Sequence, residues 1–191
     1  MDVKVTRTDI PDLLVISHQV FEDERGFFME VFRKDLFEEQ GLPTNFVQCN
    51  HSRSSRGVIR GLHFQWEPPM GKMMRVIHGT AFLVAVDIRK NSPTLGKWWG
   101  EEISAKNKKQ IWAPAGFARG FCVLSDFAEI QYFCTGVYNP SAESGILWND
   151  PEIGVQWPAV ENPNLSVKDK EAQTLSEWLQ TETSEHFQYK P

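Results

Sequence analysis

Apolar and polar positions alternate at period 2 along much of the chain up to about residue 148, the repeat of half-buried strands. VKVTRT alternates near the start, and FVQCNHS sets Phe46, Gln48 and Asn50 on one face with Val47 and Cys49 on the other. GFFMEVF is aromatic and β-prone. RVIHGTAFLVAVDIR reads as two strands joined at His78–Gly79, the second apolar on both faces as inside a sandwich. Further strands are predicted in GKWWGEEIS, QIWAP, ARGFCVLS and AEIQYFCTGVY. Turn residues separate these runs by roughly 8 to 12 residues, the spacing of sandwiches and barrels. KDLFEEQ reads as a short helix stopped by Gly41 and Pro43. Ser166 to Asp169 reads as a variant capping box. Ala172, Leu175 and Leu179 follow at helical spacing, which predicts a helix running to about residue 180. Its apolar stripe must pack back on the sheets. The expected architecture is one all-β domain over residues 1–191, a sandwich with few short helices and a C-terminal helical tail.

Composition narrows the function classes. A chain of 191 residues with 41% hydrophobic content suits one domain with a real core. No apolar run approaches the roughly 20 residues of a membrane span. Net charge is −5, which disfavours a nucleic-acid partner but leaves room for a local cluster of cations around a small anion. Cys49, Cys122 and Cys134 are scattered and odd in number, so a reducing compartment is expected over a disulfide framework. The opening MDVKVTRTDIPDLLV lacks the basic-then-apolar pattern of a secretory signal. A cytoplasmic location is therefore expected.

The densest polar constellation is Arg60-Gly-Leu-His63-Phe-Gln65, lying between strand-like segments. Gly61 beside Arg60 and His63 leaves space for a ligand. A lone histidine is ordinarily a satisfied core or surface residue; the nearby Arg60 and Lys72 shift His63 toward a site. Pro114 to Phe121 reads as strand, tight turn and strand. A plain hairpin with Arg119 paired to a surface carboxylate competes there on equal terms with a functional role. Tyr132 and Tyr138 share a face if the strand is unbroken, although Gly136 could bulge it. Packing is the default for both, and a phenol at a pocket edge could donate a proton instead. Metal-binding cupins resemble one another in an HxH pair, a later Glu and a PxGxxH turn. This chain has Gln65 at the second position of the pair and Arg119 at the end of the turn. Arg cannot ligate, so no metal is expected.

The segments FEDERGFFMEVF, QCNHSRS, GVIRGLHFQ, GKMMRV, VAVDIRKNSPTLGKW, APAGFARGF and ILWNDPEIGVQWP together resemble the dTDP-4-dehydrorhamnose 3,5-epimerase family over nearly the whole chain. The resemblance implies a cupin jelly roll, a homodimer that exchanges N-terminal strands, a nucleotide-diphosphate sugar as substrate and no cofactor. It implies His63 as general base oriented by Asp169, Tyr132 as acid on the opposite sugar face, and Lys72 as the enolate-stabilising cation. Arg25, Glu30, Gln48, Asn50, Arg60, Glu143 and Lys168 would contact the nucleotide sugar, and Tyr138 would stack on the base. Arg25 and Glu30 would serve the partner's site. Two positions depart from the family pattern: Arg119 stands where a His is usual, and Leu83 where an Asp is common. Arg119 is expected to bind substrate by holding negative charge without moving protons, with unequal exchange at C3 and C5. Relatives that invert C3 only or C5 only, or act on another nucleotide-linked keto sugar, are the nearest alternatives. A non-catalytic sugar-nucleotide-binding cupin is the alternative from another class.

Overall fold

The computed structural model describes residues 2–160 and 162–190. Its strands run β1 (Val3–Arg7), β2 (Leu14–His18), β3 (Phe21–Asp23), β4 (Gly26–Phe28), β5 (Gln48–Ser55), β6 (Ile59–Gln65), β7 (Lys72–His78), β8 (Thr80–Asp87), β9 (Trp98–Ser104), β10 (Gln110–Ala113), β11 (Phe117–Val123), β12 (Phe127–Cys134) and β13 (Glu143–Gly145). Helix α1 (Lys34–Glu39) follows β4, and α2 (Val167–Lys170) and α3 (Leu175–Leu179) lie in the tail. A six-stranded sheet in the order β1-β2-β10-β7-β12-β5 faces a five-stranded sheet in the order β13-β6-β11-β8-β9. The β3–β4 hairpin stands apart as a third, two-stranded sheet.

Three apolar layers follow from the alternation. Met74 and Val76 of β7, Leu83 and Ala85 of β8, Phe117 and Phe121 of β11, and Ile130 of β12 fill the space between the sheets. Val84 and Val86 of β8 point the other way, into a cluster with Leu62, Phe64, Leu175, Trp178 and Phe187. The tail thus covers the outer face of the five-stranded sheet, which is why β8 is apolar on both faces. Trp178 is fully buried there and packs 4.5 Å from Phe64 between ring centroids; truncating such a side chain costs about 3–5 kcal/mol. Phe37 of α1 closes the outer face of the six-stranded sheet with Ile16, Met73 and Trp112.

The structure alters several local expectations. The tail helix is broken in two. Thr174 caps α3 with Glu177 in a full capping box, while the Gln173 carbonyl accepts the Leu147 amide. Those two demands interrupt the helical repeat between Lys170 and Leu175. The RGLHFQ run, placed between strand-like segments from the sequence, is itself part of strand β6. Residues Pro114 to Gly116 do not close a hairpin: they carry the chain from β10 in one sheet to β11 in the other. Of GFFMEVF only Gly26–Phe28 is a strand. Phe46 lies ahead of β5 and packs with Trp112 and Phe133, away from the face of Gln48 and Asn50. Strand β12 ends at Cys134, so Tyr138 does not continue the face of Tyr132.

The VDIR motif serves this crossover. Asp87 is fully buried and accepts hydrogen bonds from Arg89, Ser92 and Thr94. Burial alone would raise its pKa, but those bonds hold it below the usual carboxylate range. The Arg89 guanidinium lies 4.6 Å from the Phe117 ring centre and 4.9 Å from that of Tyr189. Gly116 has φ +87°, and a Cβ there would sit 2.4 Å from the Arg89 side chain. The turn that delivers Arg119 to the sandwich interior is held by this clamp.

Candidate active site

Between the two sheets lies a cavity of about 130 Å³. The five-stranded sheet lines it with Arg60, His63, Arg119, Gly120 and Phe121; the six-stranded sheet supplies Ser52, Lys72, Met74 and Tyr132. Arg60 and His63 are three apart, which on a regular strand would put them on opposite faces. The β6–β11 register shifts between them: Arg119 pairs His63, but Phe121 pairs Arg60. Gly61 is the extra residue of this bulge, with φ +123°. A Cβ on it would lie 2.6 Å from Gly120 Cα, and one on Gly120 would lie 2.7 Å from the Arg60 carbonyl. The glycine therefore admits a neighbouring backbone, not a ligand, and the bulge turns both Arg60 and His63 inward.

His63 Nε2 donates to the Asp169 carboxylate at 2.5 Å. That fixes the tautomer and leaves Nδ1 with a free lone pair. Asp169 sits in α2 and is buried. Ser166 Oγ donates to the second carboxylate oxygen at 2.8 Å and accepts the Asp169 amide at 3.1 Å. Burial would raise the Asp169 pKa, but the His63 and Ser166 hydrogen bonds outweigh it and keep the group ionised.

The opposite wall carries the other titratable groups. Tyr132 pairs Asn50 on β5 and Met74 on β7. Burial raises its pKa above the ordinary phenol value, so it stays protonated at neutral pH. Lys72 Nζ lies 5.3 Å from the centre of the Tyr132 ring. Burial, aided by the Arg119 charge, pulls Lys72 down to about 8. Arg119 is buried, and burial pulls it down to about 10, still charged at neutral pH. Its Nη1 donates to the Met70 carbonyl at 2.9 Å and the Ala113 carbonyl at 3.4 Å. Among the described residues no surface carboxylate partners it. Leu83, opposite Phe121 in the β8–β11 register, is fully buried in the inter-sheet core.

A polar chain runs alongside His63. Gln48 Nε2 donates to Asn50 Oδ1 at 2.9 Å, and Gln48 Oε1 accepts the Tyr138 amide at 2.8 Å. The Tyr138 hydroxyl donates to Glu143 at 3.0 Å, and Lys168 donates to the same oxygen at 2.6 Å. Burial pushes the Glu143 pKa up, and the Lys168 and Tyr138 bonds bring it below its usual value. Strand β13 places Glu143 opposite Gln65 and Gly145 opposite His63, and Lys168 directly precedes Asp169. Arg60 Nε donates to Ser54 at 3.0 Å. Gln65 clips the loops together, donating to the Pro68 and Val137 carbonyls and accepting the Asn139 amide.

Two expected contacts lie elsewhere in the chain. Arg25 projects from the β3–β4 hairpin, 84% exposed and bonded to Asp23. Glu30 pairs Arg33 at 3.3 Å. Neither lines the cavity. Sequence reading also missed two participants: Ser52 on the cavity wall and Ser166 as the support of Asp169. Ser52 follows Gln48 and Asn50 at period 2 on β5, and that repeat was the available signal. Ser166 was legible as a cap, but its bond to the carboxylate depends on side-chain direction.

Comparison with known proteins places this geometry. The family model for dTDP-4-dehydrorhamnose 3,5-epimerase matches residues 7–177. A dTDP-4-dehydrorhamnose 3,5-epimerase of Shigella flexneri is 55% identical over 169 residues, covering 87% of this chain and 93% of that protein. The Neisseria gonorrhoeae protein of the same name is 52% identical over 177 residues, 93% of this chain; the chain spans about half of that relative, 53% of its length. Among solved structures, a dTDP-6-deoxy-D-glucose-3,5-epimerase of Legionella pneumophila Philadelphia 1, in complex with dTDP-4-keto-L-rhamnose, superposes with a TM-score of 0.93 at 43% identity. It covers 99% of this chain and 100% of its own. With a jelly-roll sandwich, a cavity between its sheets and a match over almost its full length, this chain belongs to the dTDP-4-dehydrorhamnose 3,5-epimerase family of isomerases.

Proposed function

We propose that the protein epimerises a nucleotide-diphosphate-linked 4-keto-6-deoxy sugar, a dTDP-4-dehydrorhamnose 3,5-epimerase activity. The observation that carries this reading is the pair of proton-transfer groups on opposing walls: His63 enters the cavity from one sheet and Tyr132 from the other. A ketone at C4 acidifies the hydrogens on C3 and C5. His63 Nδ1 takes one of them as Asp169 stabilises the imidazolium that forms. The C–H electron pair becomes a ring double bond and the carbonyl pair moves to O4, where Lys72 holds the charge in a buried site. Tyr132 then returns a proton from the other face. No electron leaves the sugar, so the cycle needs no redox cofactor.

The polar chain of Gln48, Asn50, Tyr138, Glu143 and Lys168, with Arg60, is suited to the nucleotide diphosphate. The Tyr138 ring is 53% exposed and free to stack on a base, and cations suit phosphate. Arg25 and Glu30 would reach a neighbouring subunit's site. The β3–β4 hairpin exposes Phe27 and Phe28, an edge of the kind that seeks a partner strand. A strand-exchanged homodimer follows, with about twice the 21.9 kDa chain mass in sedimentation; a clean monomer would remove the cross-subunit roles. All three cysteines are free, which suits a reducing cytoplasm. Among the described residues no helix is long and apolar enough to cross a membrane.

The test is incubation with dTDP-4-keto-6-deoxyglucose in deuterated water, followed by NMR. Deuterium should enter the sugar ring. His63→Ala should slow entry about 10²- to 10⁴-fold while dTDP still binds. A binding protein without catalysis would show no exchange in either form, and exchange untouched by His63→Ala would remove the base.

A further inference from the structure

Arg119 is a buried cation with three of its five N–H donors unused. Its Nη1 is committed to backbone carbonyls, while Nε and Nη2 are buried with no hydrogen-bond partner. In a guanidinium, Nε–H and one Nη2–H point the same way, as a parallel fork for two acceptors. Leaving such donors empty in a protein interior is costly, and Arg119 lines the cavity. Ser52 Oγ, also buried without a partner, lines the same space. None of the described side chains lining the cavity is acidic.

We infer that the Nε/Nη2 edge of Arg119 holds O3 and O4 of the sugar together and thereby favours proton exchange at C3 over C5. This rests on the epimerase reading above. When C3 loses its proton, the C–H pair forms a C3=C4 bond and the carbonyl pair moves to O4. O3 and O4 then lie side by side on one double bond, in one plane, as a two-oxygen anion that matches the fork. When C5 loses its proton, the double bond is C4=C5 and the group beside O4 is the C6 methyl. O3 then remains on a tetrahedral carbon outside the conjugated system. A fork that strengthens its grip only on the C3 intermediate lowers only that barrier. Lys72 supplies charge to O4 in both cases and does not discriminate. Reprotonation reverses the electron flow, so the step consumes no co-reactant.

The experiment measures deuterium entry at C3 and C5 in one NMR sample, so the ratio does not depend on the folded fraction. With dTDP-4-keto-6-deoxyglucose, C3 should exchange about tenfold faster than C5 or more, the range of a charged hydrogen bond. Arg119→Lys keeps the charge but lacks the fork, and the ratio should fall to within about threefold of unity. The wild-type protein should lose the same advantage on the 3-deoxy analogue of that substrate, a check that needs no variant. Balanced exchange in the wild type, or a C3 preference that survives both Arg119→Lys and removal of O3, overturns the assignment and leaves the epimerase intact. No exchange at either carbon overturns the epimerase reading and this one with it.

Discussion

Asp169→Asn isolates the charge behind the base while keeping its shape. The carboxylate accepts from His63 Nε2 at 2.5 Å and from Ser166 at 2.8 Å. The amide oxygen can still accept from the ring, so the tautomer survives; the amide nitrogen then faces Ser166 Oγ, which must accept where it donated, and the negative charge is lost. A hydrogen bond to a charged group is worth about 1.5–3 kcal/mol net. The Coulomb attraction of an imidazolium and a carboxylate with centres about 4 Å apart is about 4 kcal/mol at an effective dielectric constant of about 20. The positive charge on His63 is only partly developed at the transition state, so about 2–4 kcal/mol is the expected loss. That corresponds to a roughly 30- to 1,000-fold slower proton abstraction. Asp169 is closed off behind His63, so KM should move little and the loss should fall on kcat. The assay is deuterium entry at saturating substrate, with dTDP affinity and thermal unfolding as controls. A folded variant that binds dTDP normally and exchanges within fivefold of the wild type would refute the role given to the pair.

Two further outcomes follow from the opposite wall. In the proposed role Lys72 stabilises the enolate only when protonated, and its pKa is pulled down to about 8; that contribution would therefore be present below about pH 8 and lost as pH rises through it. The kcat profile between pH 6.5 and 9.5 should fall to a plateau sustained by Arg119, and Lys72→Met should remove the step near 8; a wild-type profile flat through that range would remove Lys72 from the enolate. Tyr132→Phe should leave exchange on the His63 face largely in place while net inversion drops about 10²-fold or more. Equal loss of exchange and inversion would mean that Tyr132 acts in folding or binding.

Strand periodicity made most of the sandwich legible. The two-faced apolar run of β8 announced a buried strand, and the helical spacing of Leu175 and Leu179 announced a tail that must return to the sheets. What periodicity could not carry was which sheet each strand joins. PAGFARGF looks like a hairpin locally because its turn chemistry is that of a hairpin; pairing of β10 with β2 and β7 and of β11 with β6 and β8 separates them into facing layers. The same limit hid the bulge at Gly61. Its cause is a close approach to Gly120, a long-range contact that leaves only a glycine in the local sequence. Without the bulge, Arg60 and His63 would face opposite ways, and the RGLH segment would present only one of them to the cavity.

Arg119 shows where residue type ends and geometry begins. As a letter in the sequence it reads equally as a surface cation, a phosphate ligand or the loss of a histidine. The β11 register turns it inward beside Ala85 and Phe121, and Leu83 on the neighbouring strand offers it no charge. Two backbone carbonyls take one end of the guanidinium and leave the Nε/Nη2 edge without a partner. An arginine that had found a carboxylate would be a structural ion pair, and a neutral imidazole in its place would give no permanent charge. A fixed cation with its two-donor edge unfilled is instead suited to recognising paired oxygens. The choice between C3 and C5 then becomes a question of which intermediate presents such a pair.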